Sequence, residues 1–164
     1  MYEPWPKRSY PPRWRLALAF LIAPGCAGLL LAIVMPLYAG LPEVGQRIWK
    51  TAYVYVLFGA FPLAFVFGLP AYFMLRQHVT PTVINCALTG AAVAGLPWAI
   101  VVLLPSAASE ASVAGRATVV DGVSTWWGWW LGIEFAGQIA IFGAIAGLIF
   151  WVVAVAGHQS DQPN

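Results

Sequence analysis

Charged residues are scarce in this sequence. They make up 9% of its 164 residues, whereas the share in an average soluble domain is about 25%. Hydrophobic residues make up 61%, and the mean hydropathy is +0.78. A soluble fold of this length cannot bury so much apolar surface. The shortage of charge therefore excludes an ordinary water-soluble protein.

Cysteine and histidine are also rare, and no pattern in the sequence would use them in catalysis or metal binding. Cys26 and Cys86 stand apart in apolar segments and belong to no Cys-x-x-Cys or Cys/His ligand spacing. His78 and His158 lie in polar flanks, where neither can act as the base beside an intramembrane nucleophile. Phosphate-binding glycine loops and basic runs with interleaved aromatics are missing. We therefore expect no enzyme activity, no metal, no cofactor and no nucleic-acid partner.

Four apolar runs occupy most of the chain, and each is long enough to cross a bilayer. A spanning helix needs about 20 mostly apolar residues. The runs cover residues 14–38, 51–75, 83–104 and 127–155. Short connectors leave no room for a separate soluble domain. The sequence predicts an all-α integral membrane four-helix bundle, which forms a single transmembrane domain over residues 1–164.

The segments outside the runs suggest how the bundle is oriented. Residues 1–13 combine prolines with aromatic side chains, which predicts an extended interfacial strip, and residues 158–164 form a polar tail. The end that holds both termini has more basic residues than the other end: Lys7, Arg8, Arg13, Arg15 and Arg76, against Arg47, Lys50 and Arg116. The positive-inside rule then predicts that both termini are cytoplasmic, in a bacterial inner membrane.

The longer outer loop, residues 105–125, has two parts. Its first part, residues 106–114, is small and polar and predicts a flexible arm. In its second part, Asp121 and Gly122 stand between β-prone residues, which is a signal for a small β-hairpin, although the strands it would join are very short. The loop is therefore either an outer-face lid or docking surface, or a connector made long by the distance between two helices. We favour the connector.

Four tryptophans follow the loop at the predicted outer boundary: Trp126, Trp127, Trp129 and Trp130. Indole rings favour the membrane interface, because one end is apolar and the N–H can still reach water or headgroups. Four rings within five positions point to all sides of a helix, so some must face protein. A membrane belt is the main interpretation, and a surface that binds a partner or ligand is the alternative.

The small residues of the fourth run share one face of the helix. At about 100° per residue, one sector contains Gly128, Gly132, Ala136, Ala140, Gly143 and Gly147. Such a face predicts a helix-packing seam, because small side chains let two backbones approach closely. The third run offers Ala87, Ala91 and Gly95 as a counterpart. The spacing leaves open whether the seam closes the monomer or joins two copies, and we favour the monomer.

Prolines interrupt the first three runs. They are Pro24 in the first, Pro62 and Pro70 in the second, and Pro97 in the third. Each removes a backbone donor and displaces the carbonyl four residues earlier. The second run should therefore be bent. Such kinks line cavities or act as hinges in transporters, but they are also tolerated as structure.

Glu134 is the only ionisable side chain well inside any run, about 10 Å along the helix from the tryptophans. An ionised carboxylate at such a depth costs about 2.5–3.5 kcal/mol, which favours the neutral acid. Gln138, one turn later, can hydrogen-bond to it. Tyr55, Trp98 and the carbonyl of Phe58 are predicted to lie at a similar depth. We predict that Glu134 donates a hydrogen bond to one of these three groups.

Two classes of function follow from Glu134. In the first, the protein is a non-catalytic accessory, scaffold or protective, immunity-like partner of another membrane component. In the second, it is a small proton- or cation-coupled transporter or channel that uses Glu134 as a dimer. The expected partners are the lipid bilayer and either another membrane protein or a second copy. The first class leads, because no second intramembrane charge is present to complete a proton relay.

Overall fold

Four long helices form the framework of the protein in a computed structural model, which describes residues 11–38, 40, 42–76, 78–105 and 108–156. We name them α1 (Arg13–Val34), α2 (Val44–Leu75), α3 (Val83–Leu103) and α4 (Trp126–Ala156). All four are long and apolar enough to cross a membrane. This confirms four helices of spanning length and indicates a multi-pass membrane protein. Most of the predicted amino-terminal strip and the whole predicted tail lie outside the described residues.

The helix ends differ from the predicted runs mainly on either side of the first connector. Helix α1 ends at Val34, four residues early, because Pro36 disfavours helical geometry at the residue before it. Helix α2 begins at Val44, seven residues before the predicted start at residue 51. The apolar run covers only the part of α2 that has few polar side chains. Hydropathy alone therefore missed the first two turns of the helix.

Helix α2 changes its hydrogen-bond pattern ahead of each of its prolines. Tyr55–Ala60 and Ala64–Gly68 are π-helical, and each segment is followed two residues later by Pro62 or Pro70. A proline displaces the carbonyl four residues earlier, and a widened turn accommodates that carbonyl. The two prolines therefore loosen α2 through two π segments. The single prolines of α1 and α3 lie inside turns that stay α-helical.

A three-stranded antiparallel sheet lies between α3 and α4. Its strands are β1 (Ala111–Val113), β2 (Arg116–Val120) and β3 (Val123–Ser124), in the order β1-β2-β3. Asp121 and Gly122 connect β2 to β3 with positive φ values of 52° and 76°, as the predicted hairpin requires. A similar turn connects β1 to β2, so the expected flexible arm is wrong for its last residues.

The helices form a ring in the order α1, α2, α3, α4. Helices α3 and α4 pack along their whole length, and α1 packs against both α4 and α2. The contact between α2 and α3 is the least extensive of the four contacts between neighbouring helices, and it involves mainly Ala64–Gly68 of α2. We call it the weak side of the ring. We call the end that carries the β-sheet the sheet end, and the end that carries residues 76–82 the turn end.

Candidate functional site

The small-residue face of α4 lies against α3. A Cβ added at Gly143 would lie 2.5 Å from the Cβ of Ala94 and would also meet the carbonyl of Gly90. A Cβ added at Gly147 would meet the backbone of Cys86. The two helix backbones are therefore in direct contact, and larger side chains would force them apart. This arrangement places the seam inside the chain.

The rest of the seam follows the same side of α4 towards the sheet end. Ala136 is buried, and the Cβ of Ala140 would lie 2.8 Å from a Cβ added at Gly95. Gly132 faces the side chain of Val102, whereas Gly128 faces the carbonyl of Thr118 in the sheet. The seam therefore packs against two elements, α3 and strand β2. Of the residues predicted as its counterpart, Ala87 and Gly95 face the seam, whereas Gly90, which faces Gly143, was not among them.

Glu134 lies on the opposite side of α4, where its side chain is exposed. Its carboxylate oxygen accepts a hydrogen bond from the amide of Gln138, at 3.4 Å. Among the described residues, no hydrogen bond joins Glu134 to Tyr55, Trp98 or the Phe58 carbonyl. The Tyr55 hydroxyl donates instead to the carbonyl of Met35, at 3.1 Å. The structure thus brings Glu134 and Gln138 together and leaves the predicted neighbours elsewhere.

Tyr55 and Trp98 line a central cavity of about 850 Å³ that all four helices enclose in part. Its wall is mainly apolar and aromatic, and the ring of Trp98 packs edge-on against Phe135 at a centroid distance of 5.3 Å. A smaller cavity of about 250 Å³ continues between α2 and α3, beside Gly59. Glu134 and Gln138 line neither cavity.

The cavity is open along part of its wall, because α2 approaches α3 only near Gly68. Its mainly apolar wall lies at the depth that lipid chains occupy around a membrane span. Along most of its length, apolar contents therefore suit the cavity better than water does.

Hydrogen bonds at the sheet end connect α2 to the end of α1. Thr51 is fully buried, and its hydroxyl accepts from the N–H of Leu37, at 3.1 Å, and donates to the carbonyl of Arg47, at 2.8 Å. Sequence reasoning missed Thr51, although a threonine at the start of an apolar run is a usual position for such a side chain. Together with the Tyr55–Met35 bond, Thr51 fixes the sheet end of α2.

Two of the four clustered tryptophans are exposed on the surface, and the other two pack partly against the protein. Trp126 is 84% exposed and Trp130 is 55% exposed, whereas Trp127 and Trp129 are half-buried. The Arg116 guanidinium lies over the Trp127 ring, 4.9 Å from its centroid, which is a cation–π contact. Asp121, the other residue predicted for this surface, is exposed in the turn of the sheet.

Across residues 11–38, 40, 42–76, 78–105 and 108–156, no three His, Cys, Asp or Glu side chains come together as metal ligands. Cys26 and Cys86 are both free thiols. No protein-family model, curated protein or solved structure matches this chain. The candidate sites are therefore the exposed face around Glu134 and the central cavity.

Proposed function

We propose that this protein is a non-catalytic accessory protein of a bacterial inner membrane, acting as a scaffold or protective, immunity-like partner of another membrane component. It contacts that component through the exposed face of α4 around Glu134. The observation that carries this proposal is the position of Glu134 and Gln138, side by side on the outside of the bundle, opposite the glycine seam.

The exposed face runs along most of α4. At about 100° per residue, it contains Trp130, Glu134, Gly137, Ile141 and Leu148, all of which are exposed. A Cβ added at Gly137 would have no atom within 4 Å, so the surface is open beside the carboxylate. We call this set the Glu134 face.

A carboxyl group within a membrane span rarely faces lipid, because burying it there costs several kcal/mol unless it is partnered. The Gln138 amide satisfies only part of the hydrogen-bonding capacity of Glu134. A helix of another membrane protein that offers a polar group at this depth would satisfy the rest. The small side chain at Gly137 would also let that helix approach closely.

The proposed orientation places the sheet end outside the cell and both termini inside it. Arg13, Arg15 and Arg76 lie at the turn end of the described chain, and Arg47, Lys50 and Arg116 lie at the sheet end. Lys7 and Arg8 would add to the turn-end total and make it cytoplasmic. Reporter fusions at the two ends of the chain test this orientation: active cytoplasmic reporters at both are expected.

Site-specific photocrosslinking in native membranes tests the proposed contact. A photoreactive residue at Gly137 should give one discrete adduct, whereas the same residue at Leu88, on the exposed side of α3, should give none. Glu134→Leu should reduce the Gly137 adduct at least fivefold, and Glu134→Gln should preserve most of it. Equal labelling from the two positions would contradict the proposal.

The same experiment distinguishes the proposed accessory protein from the alternative, a transporter. An adduct of twice the 17.7 kDa chain mass would identify a second copy as the occupant of the Glu134 face. Two copies would then place two carboxylates together, as a proton- or cation-coupled dimer requires. In that case Glu134→Gln should abolish pH-driven substrate flux in proteoliposomes. A heavier adduct with no flux in the unmodified protein supports the accessory function.

A further inference from the structure

The central cavity has the chemical character of a site for a hydrocarbon chain. Aromatic rings contribute much of its wall, and Tyr72, Phe150 and Phe20 meet one another with centroid distances of 5.2–6.2 Å. Small residues such as Gly59 and Thr89 also belong to the lining. Its volume of about 850 Å³ falls within the range of about 300–1,000 Å³ typical of ligand pockets.

The weak side of the helix ring provides an entrance from the bilayer. Helix α2 approaches α3 near Gly68, where an added Cβ would lie 3.7 Å from the side chain of Val93. Closer to the sheet end, the smaller cavity separates Gly59 and Pro62 from Pro97 and Trp98. The gap is thus lined by apolar groups, and the surroundings of a membrane span in this region are lipid chains.

Polar groups occur at the turn end of the cavity. Arg76, Thr80, Thr82 and Asn85 all belong to its lining. The turn that carries them is held in place, because the Asn85 amide donates to the Thr80 carbonyl at 2.9 Å and the Trp151 indole donates to the Pro81 carbonyl at 2.9 Å. The Arg76 guanidinium lies over the Phe73 ring, 4.9 Å from its centroid, and the Thr82 hydroxyl accepts from the N–H of Asn85. A guanidinium has several donors and a threonine hydroxyl can still donate, so this end of the lining suits a phosphate group.

We infer that the central cavity binds one hydrocarbon chain of a bilayer phospholipid, which enters between α2 and α3 and places its phosphate beside Arg76 at the turn end. The membrane itself then supplies apolar contents that match the cavity wall. The site should prefer a phospholipid with a net negative charge, because the positively charged Arg76 belongs to its lining. This site is separate from the Glu134 face.

Native mass spectrometry of the full chain tests the chain-binding site. The protein is released from vesicles of equal parts phosphatidylglycerol and phosphatidylethanolamine, and one retained phospholipid per chain is expected. The double variant Gly59→Trp/Thr89→Phe narrows the cavity from both walls and should lower the retained fraction at least tenfold. The matched control Gly25→Trp/Leu88→Phe adds the same rings to positions outside the cavity lining and should retain the lipid. Equal retention in both variants, or none in the folded unmodified protein, overturns the inference.

A second measurement tests the phosphate end and leaves the apolar part of the cavity wall unchanged. Arg76→Gln should lower the ratio of phosphatidylglycerol to phosphatidylethanolamine among retained lipids about threefold or more, because the neutral side chain no longer favours the anionic headgroup. His78→Gln, at an exposed position in the same turn, should leave the ratio unchanged. An unchanged ratio in Arg76→Gln overturns the assigned headgroup position, and it does so even if the cavity-filling variant fails to fold.

Discussion

Helices α3 and α4 meet backbone to backbone, whereas α2 approaches α3 only near Gly68 and leaves an open cavity beside it. The difference follows from where the small residues lie. In α3 and α4 they face one another, as Gly90 and Gly143 do, so that close packing replaces side-chain contact. In α2 the small residues line the cavity, and no side chain of the described residues takes up the space beside them. We therefore expect α3 and α4 to form a rigid half of the bundle, and α1 and α2 to form an adaptable half.

The largest expected effect comes from filling the rigid half. Gly143→Leu should lower the free energy of unfolding by about 3 kcal/mol, because its side chain would overlap the Gly90 backbone and the Ala94 side chain. The measurement is an SDS titration in mixed micelles followed by far-UV circular dichroism. Gly137→Leu, on the exposed side of the same helix, should change stability by less than about 0.5 kcal/mol. Similar losses in the two variants would show that the seam is not tightly packed.

The adaptable half depends on hydrogen bonds at its sheet end. Thr51→Val should cost about 2 kcal/mol, because the N–H of Leu37 would lose its acceptor and the Arg47 carbonyl its donor at a fully buried side chain. Amide hydrogen exchange at Leu37 should accelerate at the same time. Thr51→Ser keeps the hydroxyl and should lose less than half as much stability. If Ser and Val behave alike, the methyl group rather than the hydrogen bonds holds α2 in place.

Sequence patterns predicted the features that depend on one segment at a time. Run length predicted the four helices, and Asp121-Gly122 predicted one hairpin because that pair adopts positive φ readily. The β1–β2 turn was missed because Ala114 occupies a left-handed position that alanine seldom adopts. Hydropathy could not show that α2 begins at Val44, since its first turns are polar.

Features that depend on how helices are placed relative to one another were harder to predict. The third run was offered as the counterpart of the seam, and Ala87 and Gly95 do face it, but the spacing could not single out Gly90. Depth along the membrane normal suggested that Glu134 and Tyr55 are neighbours, yet rotation about the helix axis places them on different sides. The cavity arises from the gap between α2 and α3, which no single segment encodes.

A smaller effect is expected where the sheet joins the rigid half. The Thr125 hydroxyl accepts from the N–H of Gly128, at 3.2 Å, and donates to the carbonyl of Ala117, at 2.7 Å. Thr125→Val should therefore cost about 1 kcal/mol, as for other helix N-caps. Hydrogen exchange should accelerate in β2 and β3, while the amides of α3 keep their protection. Faster exchange along α3 would mean that the sheet supports the helix pair. Thr125→Ser is the control that retains the cap.

The smallest effect should come from the prolines of the adaptable half. Pro62→Ala restores a backbone donor opposite the Phe58 carbonyl, but the π segment Tyr55–Ala60 already accommodates that carbonyl. Stability should therefore rise by about 1 kcal/mol or less, and the new amide at position 62 should show protection from hydrogen exchange. Pro105→Ala, outside the helices and beyond the end of α3, should leave exchange in α2 unchanged. If Pro62→Ala changed stability as much as Gly143→Leu does, α2 would be as tightly constrained as the seam, and the contrast between the two halves would fail.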